Sequence, residues 1–150
     1  EPLIGDRIIC LHNEWECINL TGDALVNGLS GTITGLEYTN DNPFMEKTPL
    51  IDFKPDIDDS DTFKGLEADY KIFTEHVPTV TKETFKRIPK FYRPKEFDYG
   101  YCITCHKAQG SEYDKVLVFE EFLKGGDHDR WLYTAATRAK EKLVIVRNFR

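Results

Sequence analysis

One short segment, residues 100–110 with the sequence GYCITCHKAQG, concentrates side chains that can do chemistry. Its Cys-x-x-Cys-His pattern has the spacing that attaches a c-type haem, and its two thiols could supply half of a zinc site. Its second half is polar: a hydroxyl, an imidazole and an ammonium can contact phosphate, and an amide can hydrogen-bond a nucleotide. These polar residues are Thr104, His106, Lys107 and Gln109, and Gly110 after them would let the backbone approach a ligand closely. Haem, zinc and phosphate binding are competing interpretations of the same eleven positions.

The haem interpretation meets two obstacles. Haem attachment follows export, and the N-terminal sequence EPLIGDRIIC lacks the basic start and small-residue cleavage site of a signal peptide. The single methionine that could be a second axial ligand, Met45, falls in a predicted loop. The sequence therefore predicts no haem.

Zinc binding would require a tight turn between the two cysteines. Ile103 and Thr104 are β-branched and favour a strand, which sends positions 102 and 105 to opposite faces. A composite site would have to draw on Cys10, His12 or Cys17. We expect Cys102 and Cys105 to pack as small hydrophobic side chains in a strand, with no metal.

The first two thirds of the chain has the pattern of short β elements. Alternating residues with turn signals at Asn27-Gly28 and Gly31 predict strands within residues 6–14 and 27–38. The segments 49–53 and 68–77 continue this β pattern. We therefore expect a small barrel or sheet in this part of the chain.

From about Phe97 the pattern changes to that of an α/β unit. Apolar runs at 99–105 and 115–121 are typical of parallel strands buried on both faces. After a turn at Gly125-Gly126, a helix over about residues 130–142 is predicted, capped by Asp127 or Asp129, and a buried strand follows at 143–148. On that helix, Arg138 would flank the apolar face, where its guanidinium could reach a ligand across a cleft.

Composition narrows the class of protein. In 150 residues there is no run of about 20 apolar residues that could span a bilayer. We therefore expect no membrane partner, and we expect a cytoplasmic location. The net charge of −6 argues against a protein that coats nucleic acid. The segment 82–96 nevertheless interleaves six Lys or Arg residues with aromatic residues, which leaves a local basic surface open.

Two segments resemble motifs of a known family. ITCHKAQGSEYDKVLV at 103–118 and WLYTAATRAKEKLVIV at 131–146 closely resemble motifs V and VI of superfamily 1 DNA helicases, in the RecD-like branch with a UvrD-type C-terminal domain. A weaker likeness covers GDRIICLHNE through NGLSGTI. The resemblance implies an α/β fold: a partial RecA-like parallel sheet with helices, formed by residues 1–36 and 97–150, interrupted at 37–96 by a small β-rich SH3-like insert.

The resemblance also implies roles for individual residues. Arg138 would be the catalytic arginine finger that contacts the γ-phosphate of ATP. Gln109, Gly110 and Glu112 would face the nucleotide, while Thr104, His106 and Lys107 would contact single-stranded DNA. Tyr133 would be a packed residue that supports the finger. Movement in the 5′→3′ direction is implied by analogy alone.

The phosphate-cradling motif Gly-x-x-x-x-Gly-Lys-Ser/Thr is absent from the sequence, as is an apolar strand that ends in Asp-Glu to hold Mg²⁺. In the family both belong to an N-terminal motor domain. We therefore expect this chain to be an inactive C-terminal fragment of a helicase whose other motor domain, on the same polypeptide, binds ATP and Mg²⁺. Two alternatives stay open: a non-catalytic nucleic-acid-binding module with a helicase-like fold, and a metal or haem protein.

Overall fold

A computed structural model describes residues 1–121 and 127–147, apart from the side chains of Lys82 and Phe85. The chain divides into two compact units, Glu1–Cys102 and Ile103–Arg150. The strands are β1 (Arg7–Cys10), β2 (Glu14–Ile18), β3 (Ala24–Leu25), β4 (Ser30–Thr39), β5 (Thr48–Pro55), β6 (Phe63–Glu67), β7 (Phe97–Tyr99), β8 (Tyr113–Phe119) and β9 (Ala139–Val146). The helices are α1 (Tyr70–Glu75), α2 (Lys82–Phe85) and α3 (His128–Ala136), with a 3-10 turn at Lys90–Tyr92.

The first unit contains a five-stranded sheet in the order β6-β5-β4-β1-β7, with every neighbouring pair antiparallel. Alternate residues of its strands point to one face and form the core. Ile8, Ile33, Ile51 and Phe53 are fully buried there, and the rings of Phe53 and Phe97 lie 5.2 Å apart. Each such side chain contributes roughly 1.5–3 kcal/mol through removal from water. The β2–β3 hairpin, which the sequence did not predict, forms a separate two-stranded sheet.

The β element predicted at 68–77 is wrong, because a helix, α1, forms there. Asp69 is 1% exposed and caps this helix: its carboxylate accepts hydrogen bonds from the backbone N–H of Lys71 at 3.0 Å and of Thr79 at 2.8 Å. Ile72 and Phe73 then turn into the protein on the buried side of the helix. A satisfied N-cap and a helical spacing of apolar residues outweigh the β propensity of the segment.

The strand predicted at 99–105 is also wrong. β7 pairs with β1 only as far as Tyr99, and the backbone N–H of Gly100 donates to the carbonyl of Arg7 at 2.7 Å. Beyond that point the chain turns, so Cys102 is exposed and Cys105 half-buried, and both are free thiols. β-branched residues at 103 and 104 cannot extend a strand in which the backbone groups of these positions have no neighbour to pair with.

The second unit confirms the predicted parallel pairing, because β8 pairs with β9 in parallel and α3 connects them. The expectation that these strands are buried on both faces is wrong for this chain. Leu117 and Phe119 of β8 are 55% and 61% exposed, and Val144 and Val146 of β9 are both 43% exposed. In the described part of this unit, two strands and one helix supply too little surface to cover both faces of the sheet.

The helix predicted over 130–142 ends early, at Ala136, and Arg138 lies in the turn that follows. The backbone N–H of Tyr113 donates to the carbonyl of Arg138 at 2.8 Å, and Ala139 pairs with Tyr113 at the start of β9. Strand pairing therefore outweighs helix propensity in the segment AKEK. The predicted cap at Asp127 holds its N-cap position, although its side chain makes no capping hydrogen bond.

Some predictions concern features that the structure leaves open. The turn predicted at Gly125-Gly126 lies outside the described residues. β1 and β7 share one sheet with β4, β5 and β6, so the segment 37–96 pairs directly with the segments that flank it. The assignment of 37–96 as an SH3-like insert stays a prediction. Within the described residues, the helices all lack the length and apolar character needed to cross a membrane.

Candidate functional site

The polar loop that follows Ile103 is folded by its own backbone. The hydroxyl of Thr104 accepts from the backbone N–H of Lys107 at 3.3 Å, and the N–H of Ala108 donates to the carbonyl of Thr104 at 3.1 Å. Ala108 is buried and anchors the loop, while His106 and Gln109 are exposed. The loop therefore presents an imidazole and an amide outward from a hydrogen-bonded turn.

Gly110 ends this turn with a φ of +87°, a conformation that side chains rarely adopt. The space that a Cβ would occupy at Gly110 is open, so its backbone conformation rather than crowding requires glycine. The backbone N–H of Ser111 then donates to the carbonyl of Ala108 at 3.1 Å. The turn thereby leads the chain directly into β8.

Arg138 ties this loop to the end of α3. Its guanidinium donates from Nε to the carbonyl of Thr134, from one terminal nitrogen to the carbonyl of Ser111, and from the other to the hydroxyl of Thr137, each at 3.1 Å. A guanidinium has five N–H groups, so two have no acceptor among the residues that the structure describes. The half-exposed side chain is thus held in one orientation beside Gly110 and Ser111.

Glu112 extends the same cluster at the surface. Its carboxylate lies 3.5 Å from the ammonium of Lys140, and both side chains are more than half exposed. Exposed pairs of this kind contribute at most about 1 kcal/mol, so either group can exchange its partner for a ligand. Glu112 and Arg138 are brought together through short connections to the same turn.

A cavity of about 280 Å³ opens between the loop and α3. The loop contributes Cys105, His106 and Gln109 to its lining. The helix contributes Asp127, Arg130, Trp131 and Thr134, which recur at helical spacing and share one face. The cavity therefore joins two residues that the resemblance singles out, His106 and Gln109, to helix residues that it does not.

Several side chains of this cavity have no partner in the described part of the chain. The imidazole of His106, the amide of Gln109 and the guanidinium of Arg130 make neither a hydrogen bond nor an ion pair there. By contrast, the helix start is fixed: His128 bonds to Glu120 at 2.9 Å and stacks on Trp131 with ring centroids 6.2 Å apart. The Trp131 ring, held by His128, thus lines the same cavity as the side chains of His106, Gln109 and Arg130, which are unpaired within the described residues.

The thiol of Cys105 closes one side of the cavity. Its Sγ donates to the backbone carbonyl of Trp131 at 3.5 Å. Burial raises the pKa of Cys105, and the nearby charge of Arg138 offsets part of that rise. The described residues contain no cluster of three or more side chains suited to a metal ion. The prediction that the cysteines bind no zinc stays a prediction, although the strand on which it rested is absent.

The structure brings the predicted site residues together only in part. Gln109, Gly110, Glu112 and Arg138 meet around one turn, and Thr104 and Lys107 join through the backbone bond described above. Tyr133, predicted to be packed, is 73% exposed. Arg130 and the cavity role of Trp131 were missed; their spacing from the cap at Asp127, which places them on one face of α3, is the signal that could have identified them.

Part of the chain matches a known protein family. Residues 99–146 match the UvrD-like helicase C-terminal domain. An uncharacterised protein of Methanocaldococcus jannaschii, MJ1519, is 35% identical over 69 residues, which are 45% of this chain and 6% of the relative. The motifs that predicted a superfamily 1 helicase C-terminal domain lie inside the matched range.

Solved structures of Pif1 helicases share the fold. The Bacteroides enzyme in complex with ADP-AlF3 and ssDNA has a TM-score of 0.54 and 19% identity, covering 98% of this chain and 29% of its own. The Candida albicans enzyme has a TM-score of 0.52 and 18% identity, covering 99% of this chain and 33% of its own. The chain thus spans a third or less of these helicases. Its fold is similar to that of a part of these helicases, while the RecD-like branch stays a prediction.

Proposed function

We propose that this chain is the C-terminal part of an ATP-dependent DNA helicase or translocase. It would supply an arginine finger to ATP hydrolysis and backbone contacts to single-stranded DNA. The match of residues 99–146 to the UvrD-like helicase C-terminal domain supports the helicase class. The two Bacteroides Pif1 structures, both bound to ssDNA, support single-stranded DNA as the partner.

One observation carries the assignment of Arg138. Its guanidinium bridges the two segments that resemble motifs V and VI, through the carbonyls of Ser111 and Thr134. A change at the loop is therefore transmitted to the arginine, and a change at the arginine to the loop. This is the physical link that coupling of nucleotide to strand requires.

The chain's own residues divide the work. The two N–H groups of Arg138 that remain free would stabilise negative charge on the γ-phosphate as it develops. Gln109, Gly110 and Glu112 would line the nucleotide side of the turn. Thr104, His106 and Lys107 would contact phosphates of the strand, since a hydroxyl, an imidazole and an ammonium all donate to phosphate oxygen.

We assign Mg²⁺ to the N-terminal motor domain, because the nucleotide group of this chain has a single carboxylate, that of Glu112, and the ammonium of Lys140 lies 3.5 Å from it. We therefore place no step of the reaction through a metal held by this chain. The N-terminal motor domain, with ATP and Mg²⁺, would be supplied by the same polypeptide, and the 150 residues alone would not hydrolyse ATP.

A second candidate is a nucleic-acid-binding module that has lost catalysis. The three internal hydrogen bonds of Arg138 favour it, because an arginine that serves only as a structural clamp would make the same contacts. In that case the loop residues would bind the strand without turnover. The two candidates make opposite predictions for the complete polypeptide.

The test is ATP turnover of the complete natural polypeptide, with and without single-stranded DNA, for wild type and for Arg138→Ala and Arg138→Lys. An arginine finger contributes about 10³ to 10⁵ in rate, and we expect at least about a hundredfold loss of turnover in both variants, with nucleotide affinity within about tenfold. Glu141→Gln, an exposed change three residues away, is the control and should keep wild-type turnover.

Arg138 also holds the loop, so thermal unfolding of each variant accompanies the kinetics. A variant that melts like wild type and loses turnover supports the finger. Near-normal turnover in Arg138→Ala would remove Arg138 from the reaction. A wild-type polypeptide that binds the strand but has no ATPase activity would establish the non-catalytic module instead.

A further inference from the structure

We infer that the cavity between the loop and α3 receives one unstacked nucleobase of the bound single strand, with Trp131 as its wall and Arg130 and His106 as contacts to the adjoining phosphates. This inference rests on the proposed function, since it requires that the chain bind a strand. It adds a base-binding subsite to the backbone contacts proposed above.

The size of the cavity suits part of a polymer. Sites for whole small molecules enclose about 300–1,000 Å³, and this one, at about 280 Å³, falls just below that range. A single flat ring with its sugar outside would fill it. A complete nucleoside triphosphate would have to leave its phosphates outside.

Trp131 gives the cavity a flat and immobile wall. The indole is half-buried, and the imidazole of His128 stacks on it with an angle of 21° between the rings. His128 is held in turn by Glu120, which also pairs with Arg147 at 3.1 Å. A ring held in this way loses less conformational entropy when it stacks on a base.

The polar lining matches the edge of a base and the backbone beside it. The carboxylate of Asp127 can accept hydrogen bonds from the amino and ring N–H groups that bases carry on their edges. Arg130 and His106 are exposed cations or potential cations whose side chains have no partner among the described residues. Each could neutralise a phosphate on either side of the inserted base.

The carboxylate of Asp127 argues against binding of ATP in this cavity. A triphosphate would bring several negative charges to a small cavity that already contains a carboxylate, whereas a strand brings one charge per nucleotide. Binding of the strand therefore places the base against Asp127 and the single phosphates against the cations. The alternative occupant becomes an outcome of the test.

The experiment compares strand binding by the complete natural polypeptide in the absence of ATP. The probes are fluorescein-labelled single-stranded oligodeoxynucleotides of about 12 residues, each with one abasic position, so that the set scans the whole strand. If one base fills the cavity, one abasic position should weaken binding by wild type about 5- to 150-fold, which is the range for loss of one stacked base.

Trp131→Leu removes the ring and keeps apolar bulk, and Trp131→Phe keeps a ring. We expect Trp131→Leu to weaken binding of the intact strand about as much as the critical abasic site does in wild type. The same abasic site should then cause no further loss of strand affinity in the Trp131→Leu variant. Trp131→Phe should bind within about threefold of wild type, because a phenyl ring can still stack. Tyr133→Leu is the matched control: it removes an exposed aromatic ring of α3 that lies outside the cavity.

Arg130→Gln tests the phosphate contact separately. It should make the negative slope of log affinity against log salt concentration shallower by about one, as loss of a single phosphate contact does. The control Lys142→Gln should leave the slope unchanged. Thermal unfolding shows whether each variant is folded. Should Trp131→Leu fail to fold, the Phe variant and the abasic scan in wild type still decide.

Each outcome has a definite consequence. Wild type that binds the strand with no sensitive abasic position, or additive effects of Trp131→Leu and the abasic site, would overturn the base site and leave the proposed function standing. Weakened binding of a fluorescent ATP analogue by Trp131→Leu, with strand binding unchanged, would assign the cavity to the nucleotide. Failure of wild type to bind any strand would overturn the proposed function as well.

Discussion

The sheet of the first unit depends on a close approach of two strands at Gly31, and we predict that Gly31→Ala destabilises it severely. A Cβ at Gly31 would lie 2.2 Å from the backbone carbonyl oxygen of Lys54 and 2.6 Å from the ring of Phe53. That oxygen would have to retreat by about 0.8 Å, from 2.2 to 3.0 Å. Phe53 is fully buried and cannot move aside without disturbing the core.

Overpacking of this kind costs about 1–3 kcal/mol, and here it meets backbone and a buried ring together, so we expect a loss of about 2–3 kcal/mol. For a unit of this size that corresponds to a fall in melting temperature of about 10–25 °C. The assay is thermal unfolding of the 150-residue chain followed by circular dichroism, with Phe53 packing monitored in the near ultraviolet.

Gly35→Ala in the same strand is the matched control. Its Cβ would lie 2.7 Å from Oδ2, 3.0 Å from Cγ and 3.1 Å from Cβ of Asp52, a side chain that pairs with Lys64. The carboxylate can rotate away at the cost of that pair and of the hydrogen bond that it accepts from the backbone N–H of Gly65 at 2.9 Å, so the loss should be smaller than at Gly31, at about 1 kcal/mol. Equal losses at Gly31 and Gly35, or a melting temperature of Gly31→Ala within about 3 °C of wild type, would refute the reasoning.

Three further outcomes are expected. Asp69→Ala should cost about 2–4 kcal/mol in chemical denaturation, because it removes the cap of α1 and leaves the backbone N–H of Thr79 unsatisfied; a loss below about 1 kcal/mol would contradict this. Burial raises the pKa of Cys10 from 9.0 to about 11, so the unfolded chain loses this proton first and stability should fall by about 2–3 kcal/mol as pH rises from about 9 to 11. Cys10→Ala should remove that dependence, and an unchanged slope would show that other groups cause it. The purified chain should be colourless and contain under about one zinc per ten molecules by elemental analysis, since the described residues offer no cluster of three ligands; stoichiometric zinc lost only on unfolding would show the opposite.

The sequence could predict the features that depend on local residue type. Polar residues after Ile103 predicted a loop, which forms there, while its binding role stays a prediction. The order and spacing of two motifs indicated a helicase C-terminal domain, which the family match supports. Gly110 was singled out for close approach of the backbone, whereas the structure gives its requirement as a positive φ. These predictions depend on residues that are close in sequence, so a wrong prediction of which strands pair does not affect them.

The wrong predictions concern segments in which the intrinsic propensity of the residues competes with hydrogen-bond pairing to distant strands. The segment 99–105 has β-branched residues, but its pairing with β1 ends at Tyr99, so the strand stops there. The helix that begins at His128 has helix-forming residues as far as Lys142, yet Ala139 pairs with Tyr113 and the helix ends at Ala136. Propensity along the chain cannot reveal which partner a backbone group will find in space.

This competition has a functional consequence at Arg138. Had the helix continued to Lys142, the backbone N–H and carbonyl of residue 138 would lie inside the helix. In the turn, its carbonyl instead accepts from Tyr113 while its side chain donates to Ser111 and Thr134. Backbone and side chain of one residue thus fasten β8, the loop and the end of α3 together. A ligand that binds the two remaining N–H groups of the guanidinium would therefore act on all three, and under the proposed function this connection links ATP hydrolysis to the loop.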